Sequence, residues 1–264
     1  MKISCCFRPF SRISRRRYSV KGLSEDEILV TAYPRRKEEE IKSLLNNTFN
    51  ELCKITLNNY IKSEFGLNIV VQIGEDFYGM LYRTMKSSPT ILLESDMFDS
   101  LITTSIKYLN TTQIQIAKNI MIFLQNIIKC EQSNSFQEMR KEDSISAEKY
   151  KKIIQTQINK FSTILCEKIL KVFIESSVSQ IIEAVIELLT EFIKYQKSLV
   201  VKGMEIYLKD FPNDILTNKE KVYFIKLIKE YSDSDEIKRK EFNRFIDNFE
   251  NRCISKQVRG RKTN

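Results

Sequence analysis

The chain has 264 residues, 42% of them apolar, with no His, no Trp, six Gly and a formal charge of +9. It thus lacks most of the side chains that move protons, ligate metals or line phosphate-binding loops, so the expected role is contact with other molecules, with no enzymatic activity, cofactor or metal site. The apolar share is large enough for a continuous core and places the chain outside the disordered class.

Charge placement matters more than its sum. Residues 1 to 23 carry seven basic groups and no acid, and the end of the chain adds Lys256, Arg259, Arg261 and Lys262. Between 24 and 254 there are 32 basic and 34 acidic residues, a body of −2, which argues against direct nucleic-acid binding by the bulk of the chain. The six cysteines form no CxxC pair and most fall within apolar periodic segments, as buried thiols of a reducing compartment do. No apolar run approaches the roughly 20 residues needed to cross a bilayer, and no membrane partner is expected.

Taken in chain order, residues 1–33 form a basic N-terminal segment. From Pro34 to about Lys62, Ile41, Leu44, Leu45, Thr48, Leu52, Ile55 and Leu57 recur at roughly helical spacing and predict one long helix. The stretch LNIVVQI between Gly66 and Gly74 has no second strand to pair with and reads as helical or a connector. Helices follow over Asp76–Ser87 and Glu94–Leu109, separated by the Ser-Ser-Pro ending at Pro89. Thr111 or Thr112 is placed to cap the next helix, whose stripe of Ile114, Ala117, Ile120, Met121, Leu124, Ile127 and Ile128 is wide enough to need neighbours on two sides.

Residues 131–145 are polar and aperiodic and predict an insertion loop or mobile arm. A long helix opens at Ser146-x-x-Lys149 and runs to about Ile174, and Ser177 or Ser179 caps another carrying Ile181, Ile182, Val185, Leu188, Leu189 and Phe192. Lys197–Leu208 is a further helix stopped by Asp-Phe-Pro. Thr217 caps Asn218–Glu230, and Asp233 or Ser234 caps a last helix to about Cys253, before a disordered basic tail at 256–264. Phe77, Tyr78, Phe98, Phe123, Phe192 and Phe224 sit at helical spacing and are assigned to the core. The acid pairs Asp96/Asp99 and Asp233/Asp235 are read as solvent-exposed caps.

This is an all-α pattern. When alternate helices are paired into hairpins, first helices begin near residues 74, 111, 177 and 217. Two of the three steps approach the roughly 40 to 47 residues of HEAT and armadillo repeats, and the long middle step contains the polar insertion. The expectation is a right-handed HEAT-type α-solenoid over 34–255, which offers faces to partners and no central pocket.

Three stretches in order strengthen that reading: Asp76-x-Tyr78-x4-Arg83-x4-Ser88-Pro89-x-x-Leu92-Leu93, then Phe123-Leu124, then FPNDILTNKEKVYF from Phe211 to Phe224, followed by the basic run EIKRKEFNRFIDNFENRC. Together, over about residues 70–255, they resemble the C-terminal third of the importin-β superfamily, its transportin-SR and importin-13 branch above all. The resemblance implies a nuclear transport receptor shuttling between cytoplasm and nucleus, this chain supplying the cargo-side arch. Implied partners are protein cargo, nucleoporin Phe-Gly repeats, and the Ran GTPase through an N-terminal arch not found in this sequence, so that the sequence reads as a C-terminal piece.

If Pro9 opens a helix, Arg8, Arg12, Arg15 and Arg16 share one face as a row of guanidinium forks suited to phosphate or carboxylate. In the transportin-SR branch an Arg-rich helix with paired cysteines holds phosphorylated Arg-Ser-rich cargo, and Cys5-Cys6 followed by these arginines is similar, although Pro9 departs from the pattern. The same stretch also fits a mitochondrial presequence, with Arg17-Tyr18-Ser19 as a processing point, or an end without a role. Lys238, Arg239 and Arg244, with Lys240, either meet an acidic cargo or complement the acids at 233, 235, 236 and 241 on a solvated face. A general helical-repeat scaffold unrelated to transport is the alternative function.

Overall fold

The computed structural model describes residues 40, 43–61, 71–176 and 178–262. The chain divides into two compact units, Met1–Glu51 and Leu52–Asn264. In the first, residues 43–51 are helical; the Thr48 hydroxyl donates to the Leu44 carbonyl at 2.8 Å, and Leu44 and Leu45 face outward. The second opens with helical residues 52–56 and a π-helical turn at Leu57–Ile61, where Cys53, Thr56 and Leu57 are buried.

Within the second unit, helical residues 52–56 are α1. Thereafter the second unit runs α2 (Val71–Ser87), α3 (Pro89–Leu93), α4 (Phe98–Lys107), α5 (Ile114–Ile128), α6 (Asn134–Glu142), α7 (Ser144–Glu175), α8 (Ser179–Tyr207), α9 (Asn218–Glu230) and α10 (Glu236–Lys262). Among the described residues there is no strand. The expected all-helical class is what the structure contains.

The wide stripe of α5 has the two neighbours it requires, α2 on one flank and α8 on the other. Ile116, Ala117, Ile120, Met121, Phe123, Leu124 and Ile127 are completely buried as a result. Each large apolar side chain so removed from water contributes about 1.5–3 kcal/mol before entropy is counted, which is far more than helix propensity supplies. Two polar groups fix the register. Asn119 Nδ2 donates to the Glu75 carbonyl at 3.1 Å and Asn126 Nδ2 to the Tyr82 carbonyl at 3.4 Å, each pair 44 residues apart. Equal offsets at two levels mean that α2 and α5 run parallel. Gly79 faces Asn119 at this crossing.

On the other side of the core, Tyr150 bonds Glu94, Lys160 pairs with Asp99, and Asn110 Nδ2 donates to Glu175 at 2.8 Å. The paired numbers rise together, so the chain from Glu94 through α4 to Asn110 runs parallel to α7. Helix α8 is broken at Gln196 (φ −137°, ψ 38°). Its second half lies along α7, where Gln196 meets Gln155 and the Val200 carbonyl meets Cys166. Finally α9 and α10 form an antiparallel hairpin, with Phe224 among Phe242, Phe245 and Phe249, and Tyr231 against Phe242.

Several boundaries differ from the sequence reading, each for a local reason. The polar segment 131–145 is no loop: a 3-10 turn at Cys130–Gln132 leads into α6, capped by Ser133 Oγ, which accepts from the Phe136 amide at 3.2 Å. Its one apolar anchor, Phe136, is buried, and a single anchor leaves no period to read. The expected helix Glu94–Leu109 starts only at Phe98, because Pro89 nucleates the separate short α3 and Ser95 Oγ accepts the Met97 amide in the turn between.

Neither threonine caps α5 with its side chain, Gln113 standing at the N-cap, and α8 starts after Val178 without a side-chain cap. The cap of α7 is Asp143, which accepts from the Ile145 and Ser146 amides, and Asp235 serves α10 in the same way. The tail expected to be disordered from 256 continues α10 to Lys262. By contrast the Thr217 cap and the division of the 179–208 segment into two helices stand as predicted.

Candidate protein-interaction surface

The run from Phe211 to Phe224 builds the joint on which the last hairpin turns. Phe211, Ile215 and Leu216 are buried. Thr217 and Glu220 form a reciprocal capping box, the Glu220 carboxylate accepting from the Thr217 amide at 2.9 Å while Thr217 Oγ1 accepts from the Glu220 amide at 3.4 Å. Lys221 is 6% exposed, its ammonium donating to the Phe211 carbonyl and, at 2.8 Å, to Asn213 Oδ1. A lysine inside a helix thus ties down the loop that precedes it. From α10, Arg252 reaches Glu220 at 2.6 Å and Lys256 reaches Asp214 at 2.5 Å, closing the far side of the joint. The most distinctive sequence motif is therefore spent on holding α9 and α10 together.

What that joint presents outward is mixed. Lys238, Arg239, Lys240 and Arg244 are all exposed along α10. Lys238 lies 3.6 Å from Asp235 and Lys240 2.6 Å from Glu236, one turn away on the same helix. Surface pairs of this kind contribute little to stability, so these cations remain exchangeable towards an acidic partner. Val222 is 72% exposed and adjoins Tyr223, whose ring meets Phe245 edge-on at 5.8 Å. This exposed apolar spot beside basic side chains was not singled out from the sequence, where Val222 and Tyr223 stand only inside the run from Phe211 to Phe224.

Arg8, Arg12, Arg15 and Arg16 lie outside the described residues. The aromatic side chains assigned to the core, Phe77, Tyr78, Phe98, Phe123, Phe192 and Phe224, are buried. Three of the four paired acids meet cations or amides: Asp99 meets Lys160, Asp233 meets Lys194 at 2.8 Å, and Asp235 caps α10, while Asp96 is exposed. Hydrogen bonds from Lys194 and Tyr231, with Arg239 nearby, hold the Asp233 carboxyl below its ordinary value. Burial pushes the thiols of Cys53, Cys130, Cys166 and Cys253 up to about 12, which leaves them protonated and unreactive near neutrality.

Among the described residues no three Cys, Asp or Glu side chains are grouped as a metal ion would need, and no helix is long and apolar enough to cross a membrane. The chain matches no family model and no curated protein.

Proposed function

We infer that the second unit is a stack of HEAT-type helical hairpins that serves as the cargo-side arch of a nuclear transport receptor, shuttling between cytoplasm and nucleus. The observation that carries this reading is the pair of asparagine bonds between α2 and α5, both spanning 44 residues. Same-layer helices of a HEAT stack run parallel at one repeat length, which is roughly 40 to 47 residues. The order of neighbours fits as well, since α2, α5, α8 and α9 follow one another in contact, as do α4, α7 and α10. In such a stack every repeat touches only its neighbours, and the exposed flank is what remains for partners.

The exposed cations of α10, and the arginines Arg8, Arg12, Arg15 and Arg16, suit an acidic or phosphorylated Arg-Ser-rich cargo. Flexing of the stack would couple this surface to Ran engaged elsewhere in such a receptor. The test is retention of the full chain on immobilised nucleoporin Phe-Gly repeats, alongside titration of a phosphorylated Arg-Ser peptide. Retention is expected, together with peptide binding that falls with salt and is lost when Arg12 and Arg15, or Lys238, Arg239 and Arg244, are replaced by Glu. No retention on Phe-Gly repeats removes the transport reading and leaves a helical-repeat scaffold; peptide binding indifferent to both charge reversals removes the cargo assignment.

A further inference from the structure

The break in α8 has no cause in its own sequence. Sharp interruptions of a helix arise at Pro, at Gly or Ser pairs, at π-bulges or where another group intrudes, and Tyr195-Gln196-Lys197 offers no Pro or Gly. Contacts from elsewhere must hold Gln196 out of helical geometry. Gln196 itself meets Gln155 of α7, and the residues on either side of it are held by one turn. On the near side of the break, Lys194 Nζ lies 2.8 Å from Asp233 Oδ2. On the far side, Lys197 Nζ donates to the Tyr231 carbonyl at 2.6 Å and to the Lys229 carbonyl at 3.3 Å. Asp233 is itself steadied by the Tyr231 hydroxyl, which donates to Oδ1 at 2.6 Å. Two lysines that flank the break are thereby fastened to the five residues where α9 ends and the turn into α10 begins.

The chemistry of the clasp suits a reversible lock. The carbonyls of Lys229 and Tyr231 are among those that a helix leaves without intrahelical partners at its C-terminus, and an ammonium there is favoured by both hydrogen bonding and the helix dipole. Lys194 is 40% exposed and Asp233 39%, so this half of the clasp is open to water and weak when alone. Asn, Gln or Ser at 194 or 197 could not span to the turn with a charge. The second half of α8 packs closely on α7 where Gly203 meets Cys166, and Lys229 pairs with Glu205 of that half at 3.0 Å, so α9 bridges both halves and a change of angle at the break must loosen one of these ties.

We propose that Gln196 is a hinge within α8 and that the turn 229–233 is the clasp that sets its angle through Lys194 and Lys197, coupling the last hairpin to the bend. The inference does not depend on the transport reading. Hydrogen exchange on the full chain tests it, comparing wild type with Lys194→Met/Lys197→Met, which keeps the aliphatic stems and removes both ammonium groups. Amides in 195–203 and in 229–239 are expected to exchange about tenfold faster, together, while those of α2 and α5 hold their rates. An unchanged or slower rate across 195–203 would show that the bend is fixed without the clasp, and an equal rise in every helix would show ordinary loss of stability; either overturns the proposal. Should the double variant not fold, Asp233→Asn is read in the same way, and Lys194→Asp/Asp233→Lys is expected to return the exchange to the wild-type pattern.

Discussion

Lys221 and Gly203 carry the strongest constraints on single residues. Replacing Lys221 by Met leaves the buried Phe211 carbonyl without its charged donor, while the exposed Asn213 can turn to water. Bonds to charged groups are worth about 1.5–3 kcal/mol net each, with non-additivity between two that share one donor; a loss of about 2–3 kcal/mol in urea unfolding is expected for Lys221→Met. Gly203 poses the opposite problem, since a Cβ there would stand 2.7 Å from Cys166 Sγ and 3.0 Å from its Cβ. Alanine gains up to about 1 kcal/mol of helix propensity, but overpacking a filled core costs about 1–3 kcal/mol. Gly203→Ala should therefore destabilise, and Cys166→Ala in the same chain should recover part of the loss, as a double-mutant cycle would show. The Thr217 cap was legible because a threonine just before a periodic helix is a local pattern. The buried state of Lys221 was not, because nothing within a few residues tells a solvated lysine from one closed over by Phe211 and Asn213.

At the scale of elements, the two asparagines of α5 are the register pins of the α2–α5 pair. Asn119 is buried and also accepts from Gln115 Nε2 at 2.9 Å, whereas Asn126 is half-buried. Asn119→Leu should cost about 1–3 kcal/mol because the Glu75 carbonyl loses its donor, and Asn126→Leu less, since water replaces the missing bond there. Thermal unfolding of both variants checks the order. Helix positions were readable wherever punctuation was local: Pro89 opens α3, Asp-Phe-Pro follows the end of α8, and Thr217 opens α9. Where no capping side chain exists, as at Gln113 and Val178, packing sets the boundary and the sequence reading placed it on the nearest hydroxyl residue. In α6 the pattern failed for a different reason, its one buried side chain, Phe136, being too little for a period.

For the whole molecule, the lack of His means that no side chain titrates near its ordinary value between about pH 5 and 8. Glu220 and Asp233 have carboxyl values held below the ordinary ones in the fold, the first by bonds from Thr217 and Arg252 against an opposing effect of burial, the second by Lys194 and Tyr231. Their stabilisation is complete above the unfolded value near 4 and is lost as pH falls through the folded one. Glu250 runs the other way, raised by burial with Asp247 and Glu183 beside it. The four buried thiols, raised to about 12 from 9.0, stay neutral in the fold while the unfolded chain ionises, so their contribution is present below pH 9 and is lost as pH rises from there towards 12. Urea midpoints should be flat across about pH 5–8.5 and fall on both sides. A step near pH 6.5 would contradict this account.

The amino-acid sequence by itself determined that the described chain is helical, where prolines and the Thr217 cap punctuate it, and that Phe77, Tyr78, Phe98, Phe123, Phe192 and Phe224 are buried. Those features rest on bonds and periodicities within about one helical turn or two, and each segment carries them wherever it packs. Only the tertiary structure decided that α5 lies between α2 and α8, that the polar stretch after Cys130 is a helix, that Lys221 is enclosed, and that Lys194 and Lys197 reach across to the end of α9. These depend on groups tens of residues apart meeting in space, where hydrophobic burial selects neighbours by shape and a cation finds whichever carbonyl or carboxylate the packing has left without a partner.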